Sequence, residues 1–281
     1  MGALVLEGGT FRTMFSCGVM DALLDNDIHF PYVIGVSAGI SYGVSYVSKQ
    51  KGRNLKIIRD HRHDKKYVGL RNFFTDRSLF GIKYVYETIP ESIIPFDWNA
   101  YKSNPAKVVV VTTNARTGKT EYLDGKEDDT KFSALKATCA LPLMFPAIKV
   151  KDEYYFDGGL SDSIPAQKAM DDGNDKMLIV LTRPEGYKKE LSKANIFAAK
   201  VLKRKYPKIS ETLLSRHEMY NKELELCKKL EEEGRAVVLR PKKEIQIDSL
   251  EKDMTKIERI YRYGYELAAE NLERIHEISI G

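Results

Sequence analysis

Apolar residues in this chain fall into short runs, separated by stretches where they recur every three or four positions. Ala3 to Leu6 is such a run, followed by Gly8-Gly9-Thr10 and a helical spacing from Met14 to Leu24. Val33 to Gly35 predicts a second strand and Ile40 to Val47 a second helix. The β-branched run Lys107 to Thr113 has no polar alternation until its end, the pattern of a strand buried on both faces. Lys119 to Leu123 is its expected partner across a turn at Arg116-Thr117-Gly118. Further along, the pattern predicts a helix over Ser133 to Cys139, a strand over Tyr154 to Phe156 and another over Met177 to Leu181. Leu191 to Glu233 is mostly helical, Ala236 to Arg240 is a last strand, and Ile245 to Ile278 ends in one or two helices.

Strands alternating with helices predict an α/β fold, a three-layer α/β/α arrangement around a mainly parallel central sheet. After Gly186 the chain turns rich in Lys and Glu, yet the late strand returns it to the sheet. Residues 1–281 are therefore expected to form one domain, with a charged, mostly helical part over about 187–281 packed on the same sheet.

Composition narrows the classes. A net charge of +5 is too small to imply nucleic acid. No apolar run is long enough to span a bilayer, and the N-terminal residues lack the basic start of a secretion signal. Three cysteines without CxxC spacing fit neither a disulfide framework nor a zinc site. The expectation is a cytoplasmic protein with reduced thiols and no metal or organic cofactor. The cations between Lys49 and Arg71, and Lys200 with Lys203-Arg204-Lys205, suit either a solvated face or peripheral contact with an anionic inner-membrane surface.

The chemistry starts at Gly35-Val36-Ser37-Ala38-Gly39, a Gly-x-Ser-x-Gly between a strand and a helix. That context makes a nucleophile elbow, with the serine hydroxyl at the apex and the helix dipole behind it. A serine N-cap reads the same way locally. The usual base would be a histidine, but His217 and His276 lie in charged helical segments, and His61 and His63 in a polar stretch without a third metal ligand. Asp157 is better placed: it ends a strand and precedes Gly158-Gly159, so its carboxylate projects where ligands bind in such sheets. Gly8-Gly9-Thr10, between the first strand and helix, offers successive backbone N–H groups for an anion, with Arg12 nearby.

Together these segments resemble the patatin-like phospholipase family, in its bacterial, single-domain form. Leu4 to Arg12 resembles the Gly-rich oxyanion segment, Gly35 to Gly39 the nucleophile motif, Ala137 to Pro146 the stretch before the second motif, and Asp157-Gly158-Gly159 that motif, with Pro165 at the expected distance. The resemblance implies a Ser37–Asp157 dyad without histidine and an oxyanion hole from Gly8, Gly9 and Thr10. Arg12, Gly35, Gly39, Gly158 and Gly159 would support it. Thr10 and Thr13 stand where the family has glycines, and the donor geometry then calls for a negative φ. The implied activity is hydrolysis of carboxylic esters in phospholipids or related lipids. A general carboxylesterase or thioesterase on the same dyad, and an impaired protein that only binds a lipid or a partner, remain alternatives. Residues 65 to 95 are a candidate lid.

Overall fold

A computed structural model describes residues 2–127, 132–243 and 247–279. Ile245, the expected start of the C-terminal helical part, lies outside the described residues. In chain order the elements are β1 (Gly2–Leu6), α1 (Met14–Asp25), β2 (Tyr32–Val36), α2 (Ala38–Val47), α3 (Arg53–His61) and α4 (Asn72–Thr75). There follow a π-helical stretch Tyr84–Ile93, α5 (Trp98–Ser103), β3 (Lys107–Asn114), β4 (Thr120–Asp124), α6 (Ser133–Thr138), β5 (Ile148–Val150), β6 (Glu153–Asp157) and α7 (Ala166–Asp171). Next come β7 (Lys176–Val180), α8 (Lys193–Leu202), α9 (Pro207–Glu232), β8 (Ala236–Leu239), α10 (Met254–Ala269) and α11 (Leu272–Ser279).

The sheet runs β5-β6-β3-β2-β1-β7-β8, with β4 also paired to β3. Strands β3, β2, β1, β7 and β8 are parallel, β4 and β6 pair antiparallel with β3, and β5 pairs antiparallel with β6. The parallel strands are apolar throughout because both of their faces are buried. Leu4, Leu6, Val33, Val108 and Leu178 face a core closed by α1, α2 and α10, whereas Val5, Ile34, Val36, Val109 and Ile179 face one closed by α7 and α9. Two layers of helix therefore enclose the sheet, as the alternation in the sequence requires.

One register fixes the site. Strand β2 pairs with the first part of β3, ending at Val36 opposite Val111. Strand β6 pairs with the last part, where Asp157 lies opposite Thr112. Strand β4 overlaps both stretches, from Val109 to Thr113, and so occupies the other edge of β3. The ends of β2 and β6 consequently meet head to head on one edge. The residue after β2 is Ser37, and the last residue of β6 is Asp157.

The C-terminal part is tied to this sheet at both faces. Strand β8 extends it beside β7. Helix α10 lies against α1 at two glycines: a Cβ on Gly18 would overlap the Tyr261 carbonyl oxygen, and one on Gly264 the Phe15 carbonyl oxygen. Backbone therefore touches backbone at this crossing.

Candidate active site

Ser37 has φ 52° and ψ −131°, a conformation that L-residues seldom adopt. It is held there from two sides. Its N–H donates to Thr138 Oγ1 at 2.8 Å, and Thr138 Oγ1 donates in turn to the Val111 carbonyl at 2.6 Å. Gly39 lets the first turn of α2 pass close to β1, since a Cβ there would lie 2.6 Å from the Glu7 carbonyl. Gly35 lies beneath the same turn, against Leu6 and Ile40. The strain, about 1–3 kcal/mol, lifts the serine off the sheet with α2 starting directly behind it.

Asp157 is buried, and its Oδ1 accepts from the Gly159 N–H at 2.8 Å. Burial pushes its carboxyl up from 3.8 to about 6; the Ser37 hydroxyl, Arg216 and the Gly159 N–H each pull the other way. The Ser37 hydroxyl is thus near enough to favour the ionised carboxylate, while its own donor contact is to Cys139 Sγ at 3.9 Å. Ser41 lies 3.2 Å from the same sulfur. Burial and Asp157 raise the Cys139 thiol to about 11, so it stays neutral beside Ser37. Gly158 admits no side chain, since a Cβ would overlap the Val111 carbonyl oxygen. That close approach turns the chain sharply after Asp157.

Gly8 packs directly against Ser37; a Cβ there would lie 2.9 Å from Ser37 Cβ. Among the described residues, the N–H groups of Gly8, Gly9 and Thr10 have no hydrogen-bond partner, the state in which donors can meet an oxyanion. The expectation of a negative φ at Thr10 is corrected, because the residue takes φ 53°. Thr13 Oγ1 donates to the Thr10 carbonyl and fixes the turn, while Thr13 itself has φ −67°. The loop keeps its shape by placing a threonine in the left-handed region, at a cost of about 1 kcal/mol. Thr10→Gly should therefore raise the unfolding free energy by about that amount, with hydrolysis at least equal to wild type. Paired thermal melts and initial rates would check it, and a destabilised variant would disprove the strained geometry.

Helix α9 contributes residues that no motif announced. Ile209, Leu213, Arg216, Tyr220, Glu223, Cys227 and Leu230 follow one another at steps of three and four, which places them on one face. The apolar members pack inward. The polar ones grip the site: Arg216 Nε donates to the Gly159 carbonyl at 2.5 Å, and the Tyr220 hydroxyl donates to Glu7 at 2.7 Å. The Glu223 carboxylate accepts from the N–H groups of Ser163 and Ile164. Polar residues at core positions of an apolar stripe were the available signal.

Among the described residues no histidine contacts Ser37 or Asp157. His217 lies nearest a carboxylate at Glu218, 3.9 Å away, and His61 meets Tyr84. Nor do three His, Cys, Asp or Glu side chains group as metal ligands among those residues. Beside Ser37 opens a cavity of about 120 Å³, lined chiefly by rings and aliphatic side chains, including Phe11, Tyr42, Phe80, Tyr86, Phe132 and Phe145. Ser37 thus lies on the wall of an apolar cavity.

Residues 4–170 match the patatin-like phospholipase family, and residues 206–279 match a domain of unknown function, DUF6363. The uncharacterized protein YjjU of Escherichia coli is 27% identical over 199 residues, covering 65% of this chain and 52% of that protein. The crystal structure of VipD from Legionella pneumophila is 12% identical, with a TM-score of 0.46 over 97% of this chain and 66% of the other. The chain spans about half the length of YjjU.

Proposed function

Because this chain belongs to the patatin-like phospholipase family, whose members hydrolyse lipid esters, we propose that it is a serine lipid acyl hydrolase working through a Ser37–Asp157 dyad. The observation that carries this reading is the pairing of a strained serine with a buried carboxylate of raised pKa, at the mouth of an apolar cavity. A carboxylate with a pKa near 6 is ionised at neutral pH yet basic enough to take a proton during attack.

Asp157 removes the Ser37 proton as Oγ attacks the ester carbonyl. The N–H groups of Gly8, Gly9 and Thr10, free among the described residues, stabilise the tetrahedral oxyanion. Collapse expels the alcohol, which takes the proton from Asp157. Water then attacks the acyl-enzyme, giving its proton to Asp157, and collapse returns a proton to Ser37 as the fatty acid leaves.

The ring-lined cavity supports a long acyl chain over an acetyl group. The rate on p-nitrophenyl esters should rise from acetate to octanoate and beyond, while Ser37→Ala loses both turnover and labelling by a fluorophosphonate probe. A preference for acetate would favour the general esterase, and no labelling of the wild type would favour a binding protein.

Contact with an anionic membrane belongs to the same proposal. Among the described residues no helix is long and apolar enough to cross a bilayer. Leu70 and Phe74 are 75% and 92% exposed beside Arg71 and Arg77, and Ile196, Phe197 and Val201 are exposed on α8 beside Lys193 and Lys200. Helix α8 packs through Ala198 and Leu202 in the same cluster as Phe80 and Phe145, which line the cavity. Two cations of the Lys49 to Arg71 stretch are spent inside: Arg53 lines the cavity, and Arg62 donates to the carbonyls of Leu250 and Glu251.

A further inference from the structure

Four cations that act on one another and on Asp157 lie outside the lining of the acyl cavity. Arg12 follows the oxyanion loop, Arg183 follows β7, Lys189 lies in the connection to α8, and Arg216 projects from α9. All four are partly buried. Three of them lie beyond residues 4–170, the part matched by the family.

Their neighbours offset only part of their charge, through Glu7 and Asp157. Among the described residues none of the four makes an ion pair within 4 Å. Glu7 acts on Arg12 and Lys189 without an ion pair to either, its two oxygens accepting from the Thr182 N–H at 2.5 Å and the Tyr220 hydroxyl at 2.7 Å. The Nε atoms of Arg12 and Arg183 are buried without a hydrogen-bond partner. Arg183 lies over the Tyr187 ring at 4.5 Å and Lys189 over the Tyr220 ring at 4.2 Å, so the rings fix both heads without cancelling their charge. Arg216 donates to the carbonyl of Gly159, whose N–H binds Asp157, and so ties the cluster to the turn that carries Asp157. Like charges held together and partly desolvated favour an anion among them.

We propose that Arg12, Arg183, Lys189 and Arg216 form the subsite for the phosphate of an anionic head group on the acyl ester substrate. The proposal rests on the hydrolase reading. The ester carbonyl lies at Ser37, the acyl chain fills the apolar cavity, and the phosphate lies among the cations. Arginine forks suit phosphate oxygens, and the segment after the family match thereby sets head-group choice.

Two substrates that differ only in the phosphate test this: 1-oleoyl lysophosphatidic acid and 1-monooleoylglycerol. The wild type should favour the phosphorylated ester by about 10-fold or more in kcat/KM, mainly through KM. Arg183→Gln with Lys189→Gln should bring that ratio near one, and Arg183→Lys with Lys189→Arg should largely restore it. An unchanged ratio in the Gln variant, or a neutral preference in the wild type, overturns the subsite.

The pH dependence is a second readout. Burial, with Arg216, Arg183 and Arg12 facing it, lowers Lys189 to about 8, opposed by Glu7. KM for the phosphorylated ester should therefore rise above pH 8 while that for the neutral ester stays level.

Inorganic phosphate alone should compete with lysophosphatidic acid. If it alters the rate without competing, the cluster is an effector site for free phosphate and the head-group assignment fails. Should the wild type hydrolyse neither ester, the hydrolase reading falls, and binding to Ser37→Ala by calorimetry still decides the subsite. Tighter binding of lysophosphatidic acid than of monooleoylglycerol supports it, and equal binding or none rejects it.

Discussion

Asp157→Asn is expected to lower turnover by about 10³-fold and to make the protein more stable at pH 7. The two effects share one cause. Burial raises the Asp157 carboxyl from 3.8 to about 6, so the fold favours its protonated form. The stability from that preference is present below pH 3.8 and is lost as pH rises through 6. At pH 7 the native protein carries an ionised carboxylate at a cost of up to about 3 kcal/mol. Asparagine removes the charge and keeps an oxygen for the Gly159 N–H. Chemical denaturation at pH 7 and pH 4 would show a gain at the first and little at the second; equal gains would disprove the account. The same ionisation sets the acid limb of kcat/KM near pH 6. Arg216→Gln removes a charge that favours the ionised form, and should move that limb upward.

The second large effect concerns stability alone. Gly18→Ala or Gly264→Ala places a methyl group on a backbone carbonyl at the α1–α10 crossing, where no side chain can yield. Each substitution should cost about 3 kcal/mol. The double variant should cost less than the two combined, because the helices separate once and then admit both methyls. Urea melts of the four proteins would measure the coupling, and strict additivity would mean that the helices do not move apart.

The sequence showed most of the parallel sheet because strands buried on both faces are apolar without interruption. It concealed β5, whose three residues, Ile148 to Val150, leave Lys149 exposed at the sheet edge. It concealed α3 as well: Asn54, Ile57 and Ile58 point inward, but the cations between them made the stretch look broken. Ser37, Asp157 and the glycines around them were legible because tight turns restrict residue choice. Thr138, Arg216 and Glu223 were not, since their roles come from contacts across the fold that local spacing does not encode. The register of β3, which seats the ends of β2 and β6 together, is likewise a property of strand pairing.

That shared edge governs when the site exists. A chain emerging from the ribosome displays the serine elbow long before β6 is made, and during that interval Ser37 lacks its proposed base. Even after Asp157 appears, Arg216, which grips the turn following it, arrives later still with α9. On the proposed dyad, a copy halted before β6 is inert toward an ester, and one in which α9 has not yet closed over the sheet lacks the hold of Arg216 on the turn after Asp157.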